Sequence, residues 1–146
     1  GGQLAGVLAA KLSKVEVQGL ILMYTPADLV WGYAHPGNPL VLDSRAVLQN
    51  FLGGSVHQKK ELYEYASLNY LATNNFPPVL MIHGLKDELV AFGHNIRLIE
   101  SLRKHDVNYF CLAIPYATHG LDYFYSSISS KITEKALMYF IRNTLN

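Results

Sequence analysis

The sequence predicts an α/β fold in which three parallel strands form a sheet flanked by helices. Short apolar runs alternate with segments of helical spacing, and this order is typical of parallel strands joined by helices. The apolar runs are nearly continuous, as expected for strands that are covered on both faces. Right-handed crossovers leave few other topologies. We therefore expect residues 1–146 to form a single domain.

The first part of the chain is predicted to form one helix and one strand. Residues 2–13 are small and apolar, which favours a closely packed helix. Residues 17–24 form a nearly continuous apolar run of strand length, and the Thr-Pro-Ala-Asp sequence at 25–28 ends it with a turn. We expect this strand to lie at an edge of the sheet and to expose that edge to another chain.

Residues 29–66 are predicted to form a cap-like loop and helices between the first two strands. Residues 29–44 are rich in Trp, Tyr, Gly and Pro, and we interpret them as an ordered loop. Asp43 or Ser44 can cap the helix that follows, and a Gly-Gly pair ends it. The predicted helices of this segment cover 45–52 and about 58–66.

The second half of the chain alternates strand and helix twice. Its apolar runs are short and bounded by Pro and Gly, whereas its helices place apolar residues on one side. The predicted elements are a strand over 78–84, a helix over 93–104, a strand over 108–114 and a closing helix over 128–145.

Composition excludes several classes of function. The net charge is +1 and the 12 Lys and Arg residues are scattered, so nucleic acid is not an expected partner. No apolar stretch reaches the ~18 to 20 residues that span a bilayer, so we expect no membrane segment. The single cysteine, Cys111, excludes an intrachain disulfide and a Cys-x-x-Cys metal site. We expect no metal and no cofactor; the compartment stays undecided, with the cytoplasm slightly favoured.

Polar motifs follow the second and third predicted strands. HGLKDELV covers residues 83–90, and His119 stands between Thr and Gly in the loop after the third strand. In open α/β sheets, ligands bind beyond the carboxyl ends of the strands. If these strands are neighbours, Asp87 can accept a hydrogen bond from His119 and fix its tautomer. The other ring nitrogen would then serve as a general base.

HGLKDELV followed by His119-Gly120 resembles the acid and histidine segments of the α/β-hydrolase fold, most of all esterases and lipases of the acyl-aminoacyl-peptidase type. GGQLAG, residues 1–6, resembles the sequence that continues the nucleophile elbow Gly-x-Ser-x-Gly in that family. The resemblance implies a Ser-Asp-His triad with Asp87 as acid and His119 as base. It places the serine two positions before Gly1, upstream of the chain.

Other polar residues are alternatives to these assignments. Asp28 follows the first strand, where some hydrolases carry their acid, although Pro-Ala-Asp-Leu also suits a turn or helix cap. His83 ends a strand and is interpreted as structural. Ser55 is interpreted as a loop serine because no apolar strand leads into it. The remaining histidines, His35, His57, His94 and His105, are expected in loops or on polar helix faces.

Four residues are predicted to bind substrate. Trp31 and Tyr33 lie in the cap-like segment, where an acyl or aromatic group could rest, although they could also only anchor the loop. Val90 and Leu121 lie close in sequence to the predicted acid and base.

The resemblance implies a carboxylic ester hydrolase that acts on a small-molecule ester. The chain alone, without the serine, is expected to be inactive. The alternatives are a serine peptidase of the prolyl oligopeptidase type and a noncatalytic hydrolase-like interaction module. The expected partner for the exposed edge strand is the missing amino-terminal half or a second copy of the chain.

Overall fold

A parallel sheet of three strands, in the order β1-β2-β3, forms the centre of the fold. The computed structural model describes residues 1–12 and 16–144. The strands are β1 (Leu20–Met23), β2 (Val79–Gly84) and β3 (Tyr109–Ile114). Both pairings are parallel and in register along the shared length of the strands. The predicted α/β class and three-stranded parallel sheet are confirmed.

Helices cover both faces of the sheet. They are α1 (Gly2–Lys11), α2 (Leu29–Ala34), α3 (Ser44–Leu52), α4 (Lys60–Tyr65), α5 (Leu68–Leu71), α6 (Gly93–Lys104) and α7 (Ile128–Thr144). Alternate strand residues point to opposite faces and so divide the core in two. On one face, Leu22 and Met81 pack with α1, α5 and α6, whereas on the other face Leu80 and Ile82 pack with α7.

Helix α3 begins at an aspartate cap. The side chain of Asp43 accepts a hydrogen bond from the backbone N–H of Ala46 at 3.0 Å, and Gly53 ends α3 with φ of 74°. A left-handed φ is favourable only for glycine. The predicted helix and its stop are therefore present as expected.

The predicted ordered loop over 29–44 is wrong for its first residues, which form α2. The side chain of Asp28 accepts a hydrogen bond from the backbone N–H of Trp31 at 2.8 Å and caps this helix. Aromatic and glycine residues give the segment a low helix propensity. The helix is stabilised instead by tertiary contacts, since the Trp31 ring packs against the backbone of Gly93.

Several element boundaries also differ from the prediction. β1 begins at Leu20 instead of residue 17, and the short helix α5 was not predicted. Gly19 precedes β1 under α7, where a Cβ would collide with the side chain of Thr144 and lie in tight contact with the ring of Phe140. The predicted helix end at residue 13 and the predicted end at residue 145 lie outside the described residues.

Residues 29–66 contain a small core of their own. It comprises Leu29, Leu52, Tyr63 and Ala66. The segment is joined to the sheet at its base, where the backbone N–H of Leu68 donates to the carbonyl of Ala27 at 2.7 Å. These contacts fix the position of the segment beside the carboxyl ends of the strands.

Candidate active site

The loops that follow β2 and β3 bring a carboxylate and an imidazole together. Nδ1 of His119 donates to Oδ2 of Asp87 at 2.8 Å. The Asp87 side chain is 0% exposed and the His119 side chain is 32% exposed. The structure therefore brings the two residues of the predicted acid–base pair into direct contact and leaves the imidazole partly open to solvent.

Backbone hydrogen bonds hold these two loops against each other. The N–H of Lys86 donates to the carbonyl of Ala117 at 3.0 Å, and the N–H of Leu85 donates to that of Ile114 at 3.1 Å. At Gly84, a Cβ would collide with the backbone of Ala117. A glycine is thus required at the end of β2 for the acid and base loops to approach so closely.

The Asp87 carboxylate is surrounded by donors. Its Oδ1 accepts from the backbone N–H groups of Leu89 at 2.9 Å and Val90 at 2.8 Å. Burial on its own raises the pKa of Asp87. Hydrogen bonds from His83, Val90 and His119 favour the ionised form and outweigh burial, so the pKa lies below its ordinary value. Asp87 is therefore a carboxylate at neutral pH.

His83 is a second imidazole beside Asp87. Its Nε2 lies 2.7 Å from the carbonyl oxygen of Val90 and 3.3 Å from Oδ2 of Asp87. The sequence analysis interpreted His83 as structural. The signal that could have found it is its place in HGLKDELV, at the carboxyl end of the central strand.

Tyr24, directly after β1, packs on the other side of the imidazole. Its ring centroid lies 4.6 Å from that of His119, and its hydroxyl donates to Oδ1 of Asp122 at 3.1 Å. Burial and the nearby charge of Asp122 raise the pKa of the Tyr24 hydroxyl. Tyr24 therefore stays a neutral donor and connects the end of β1 to the loop that carries His119.

A cleft opens beside His119 at this edge of the sheet. Val90 lines it, together with the first residues of the chain, which lead into α1. The lining residues are Gly1, Gly2, Ile21, Met23, Tyr24, Thr25, Pro26, Val90 and His119. At Gly2, a Cβ would collide with the Thr25 side chain, so glycine allows α1 to begin against the end of β1.

Comparisons with known proteins identify the family of this chain. Residues 42–146 match the prolyl oligopeptidase family. The chain belongs to that family. A search among curated proteins finds no match to the sequence.

Solved structures with the same fold include both peptidases and esterases. Pyrococcus horikoshii acylaminoacyl peptidase has a TM-score of 0.80 and 17% identity, over 99% of this chain and 22% of that chain. The acetyl ester-xyloside bifunctional hydrolase from Caldicellulosiruptor lactoaceticus has a TM-score of 0.77 and 18% identity, over 97% of this chain and 53% of that chain. Esterase B from Lactobacillus rhamnosis has a TM-score of 0.75 and 15% identity, over 99% of this chain and 50% of that chain.

These comparisons confirm the expected α/β-hydrolase fold and assign the chain to a family of serine hydrolases. The chain spans about half the length of the two ester-cleaving enzymes and about a fifth of the peptidase. The prolyl oligopeptidase type was the alternative enzyme class that we considered from the sequence.

Of the four residues predicted to bind substrate, the structure brings Val90 to the cleft. Trp31 stacks on His35 with ring centroids 4.6 Å apart, and Tyr33 packs edge to face on Tyr63 at 5.7 Å. Leu121 is 7% exposed and lies in the core between the sheet and α7. Leu121 lies there because the loop after His119 turns back beneath α7.

A small apolar cavity lies next to the cleft. It has a volume of about 130 Å³ and shares Pro26 and Val90 with the cleft. Its other lining residues come from the cap-like segment, the loop between β2 and α6, and the start of α6: Leu29, Gly32, His35, Gly37, Leu42, Ser44, Val47, Leu48, Leu89, Ala91 and His94. The cap-like segment therefore extends the apolar surface available beside His119.

Asp28, the alternative acid, lies in a different environment. Its Oδ2 accepts from Nε of Arg97 at 2.8 Å and from the Asn69 amide at 3.0 Å. The structure thus places Asp87, and not Asp28, against the imidazole of His119. Asp28 caps α2 and links it to α5 and α6.

The expectation that His94 lies in a loop or on a polar face is wrong. His94 is 5% exposed, and its Nδ1 accepts from the backbone N–H of Asp28 at 3.2 Å. Burial lowers the pKa of His94 to about 4. The burial of His94 was missed because the helical periodicity of α6 does not show that α2 packs on the face of α6 that carries His94.

Within residues 1–12 and 16–144, no group of three or more His, Cys, Asp or Glu side chains is arranged to hold a metal ion. None of the helices formed by the same residues combines the length and apolar character needed to cross a bilayer.

Proposed function

We propose that this chain supplies the acid and the base of a serine hydrolase that cleaves carboxylic esters, with Asp87 as acid and His119 as base. The nucleophile is a serine upstream of Gly1. The observation that carries the proposal is the 2.8 Å contact from Nδ1 of His119 to Oδ2 of Asp87. This contact fixes the proton on Nδ1, so Nε2 is the nitrogen that accepts the serine proton.

The reaction proceeds in two acyl-transfer steps. The serine oxygen attacks the ester carbonyl carbon while its proton passes to Nε2 of His119, and that proton then leaves with the alcohol. Water attacks the acyl-enzyme in the second step, again giving its proton to Nε2. Cleavage of the acyl–serine bond releases the carboxylic acid, and the proton returns to the serine. Asp87 remains ionised throughout and stabilises the imidazolium.

The surroundings of Asp87 support this role. Its lowered pKa keeps the carboxylate charged at the pH where the imidazole works. Its four donors hold the carboxylate in one orientation, with Oδ2 towards His119. A fixed carboxylate orients the imidazole before the reaction, which is the contribution that the acid of a triad makes.

The position of the first glycines supports an upstream nucleophile. Gly1 and Gly2 line the same cleft as His119. The segment that precedes Gly1 therefore leads towards this cleft. The spacing of the elbow motif puts the serine two positions before Gly1, within that segment.

The apolar surface beside His119 supports an ester with an apolar group. Val90 forms part of both the cleft and the adjacent cavity, which suits a short acyl chain or an aromatic group. Trp31 and Tyr33 shape this surface by holding the cap-like segment in place, and Leu121 supports the base loop from below.

A serine peptidase is the second candidate, because the family match is to prolyl oligopeptidases. The short loop between β2 and α6 favours the esterase. A noncatalytic interaction module is the third candidate.

Reconstitution tests the proposal. The chain is joined to, or mixed with, its upstream segment, and hydrolysis of a short-chain p-nitrophenyl ester is compared with that of an acyl-peptide p-nitroanilide. We expect faster ester hydrolysis and a loss of at least ~10³-fold in His119→Ala and in the upstream Ser→Ala variant. The matched control is His105→Ala, because His105 lies directly after α6 and before β3 begins.

Each other outcome has a distinct meaning. Preferential cleavage of the peptide substrate supports the peptidase. Hydrolysis that persists in His119→Ala contradicts the assignment of the base. A correctly folded reconstituted protein that cleaves neither substrate supports the noncatalytic module.

A further inference from the structure

His83 is a buried titratable residue to which the proposed reaction gives no task. It is the second-last residue of the central strand β2, and its side chain is 0% exposed. Its Nδ1 has no hydrogen-bond partner among the described residues. A buried polar side chain with one unpaired nitrogen carries a desolvation penalty, so its other contacts should account for its presence.

The other nitrogen of His83 makes two contacts. Nε2 lies 2.7 Å from the carbonyl oxygen of Val90 and 3.3 Å from Oδ2 of Asp87. Both are acceptors, so Nε2 must carry the proton and Nδ1 is the unprotonated nitrogen. A second proton on Nδ1 would face no acceptor among the described residues. The Nε2–H of His83 is therefore the donor in both contacts.

We propose that His83 is a positioning residue for the acid of the site: its Nε2–H joins Oδ2 of Asp87 to the carbonyl of Val90. The contact to Val90 is the shorter and stronger one, and the contact to Asp87 is a weaker second branch of the same donor.

These contacts close a ring of three residues. Val90 donates its backbone N–H to Oδ1 of Asp87 at 2.8 Å and accepts from His83 through its carbonyl. His83 in turn faces Oδ2 of Asp87. The ring fixes both carboxylate oxygens and also fixes Val90, which lines the cleft. The orientation of the acid and the shape of the cleft wall are thereby coupled.

Without the Nε2–H donor of His83, Oδ2 of Asp87 would keep the hydrogen bond from His119 and lose its contact with His83. Burial would then be less well compensated, and the pKa of Asp87 would rise towards its ordinary value. The carboxylate could also rotate away from His119. The positioning itself is a property of this chain, whereas its consequence for catalysis rests on the proposed function.

The experiment compares two substitutions of His83 in the 146-residue chain. The amide nitrogen of Gln reaches the position of Nε2, so His83→Gln should retain the donor. The amide of Asn is shorter and reaches only the position of Nδ1, so His83→Asn keeps a polar side chain but loses the donor. The readouts are the NMR titration of the Asp87 side-chain carboxyl carbon and the resonance of the His119 Nδ1–H proton.

We expect His83→Asn to raise the midpoint of the Asp87 titration by about one pH unit and to shift or broaden the His119 resonance. His83→Gln should restore both readouts to near the wild-type values. An unchanged midpoint in His83→Asn, or equal changes in both variants, would overturn the proposal. A structural role alone predicts lower stability without this difference between Asn and Gln.

The wild-type chain provides a test that needs no variant to fold. Nitrogen-15 spectra of the histidine rings should show His83 as the Nε2–H tautomer at neutral pH, and the Nδ1–H tautomer would contradict the proposal. In the reconstituted hydrolase, His83→Asn should lower kcat about 10-fold with little change in KM. If the titrations behave as expected but the wild-type protein has no hydrolase activity, the proposed function fails and the positioning role stands.

Discussion

The ring of Tyr24 lies against the imidazole of His119, with centroids 4.6 Å apart and an angle of 59° between the planes. Tyr24 has φ of 39°, in the left-handed region that a tyrosine rarely adopts. Such a conformation persists only where the surrounding contacts determine it. Here the contacts are the His119 ring and the hydrogen bond to Asp122. The end of β1 therefore takes part in holding the imidazole.

Substitutions at Tyr24 should separate the ring contact from the hydrogen bond. We expect Tyr24→Leu to remove the ring-current shift of the His119 ring protons and to increase the mobility of the imidazole. Tyr24→Phe, the matched control, keeps the aromatic ring and loses only the bond to Asp122. Proton–carbon NMR spectra of the His119 ring measure both effects, and equal spectra for the two variants would contradict the packing role.

Gly84→Ala should destabilise the chain by pushing the acid and base loops apart. A Cβ at this position collides with the backbone of Ala117, which cannot move without breaking the hydrogen bond from Lys86. We expect a loss of about 3 kcal/mol in the free energy of unfolding. Urea denaturation measures it.

Gly53→Ala is the control for Gly84→Ala. Gly53 has φ of 74° but no atoms within 4 Å of an added Cβ, so it reports conformational strain alone. We expect a loss of about 1 kcal/mol there. A loss at Gly84 no larger than the loss at Gly53 would show that the two loops can separate without penalty.

The sequence predicted those elements whose pattern is local. The apolar runs at β2 and β3, the periodicity of α6 and the cap and glycine stop of α3 all depend on residues close together in the chain. The short helix α2 was missed because its stability comes from α6, which lies more than 50 residues later. Local propensity carries no information about such a contact.

The candidate site could also be predicted only in part. Asp87 and His119 were found because parallel strands bring their following loops to one edge, and the structure places them 2.8 Å apart. The roles of His83 and Tyr24 depend on the direction of side chains at the ends of the strands. That direction is set by packing between loops and cannot be read from spacing.

Self-association through β1 is expected, since among the described residues β1 pairs with β2 on one side only. Leu20 and Tyr24 donate their backbone N–H groups to the carbonyls of Pro78, just before β2, and Ile82, so the N–H of Ile21 points away from β2. We expect the chain to form dimers or larger assemblies and Ile21→Pro to shift it towards the monomer, because proline removes this outward donor. Size-exclusion chromatography with light scattering measures the state. Ile21→Ala loses the same packing but keeps the N–H, so a monomer in both variants would exclude edge pairing.

Buried His94 should make stability depend on pH. Its pKa is about 4 in the folded chain and about 6.5 when unfolded, because burial disfavours the charged ring. Between these values the unfolded chain binds more protons, so stability falls as the pH falls from 6.5 to 4. The difference amounts to about 3 kcal/mol.

His94→Asn should remove this dependence. Asn places an acceptor near the position of Nδ1, where it can receive the backbone N–H of Asp28, but it does not titrate. We expect urea denaturation at several pH values to show a flatter profile for the variant above pH 4, with both proteins losing stability at lower pH as Asp87 is protonated. Parallel profiles for the two proteins would mean that His94 is hydrated or charged in the folded chain. In that case water would reach the ring from the cavity that Gly32 and His94 both line.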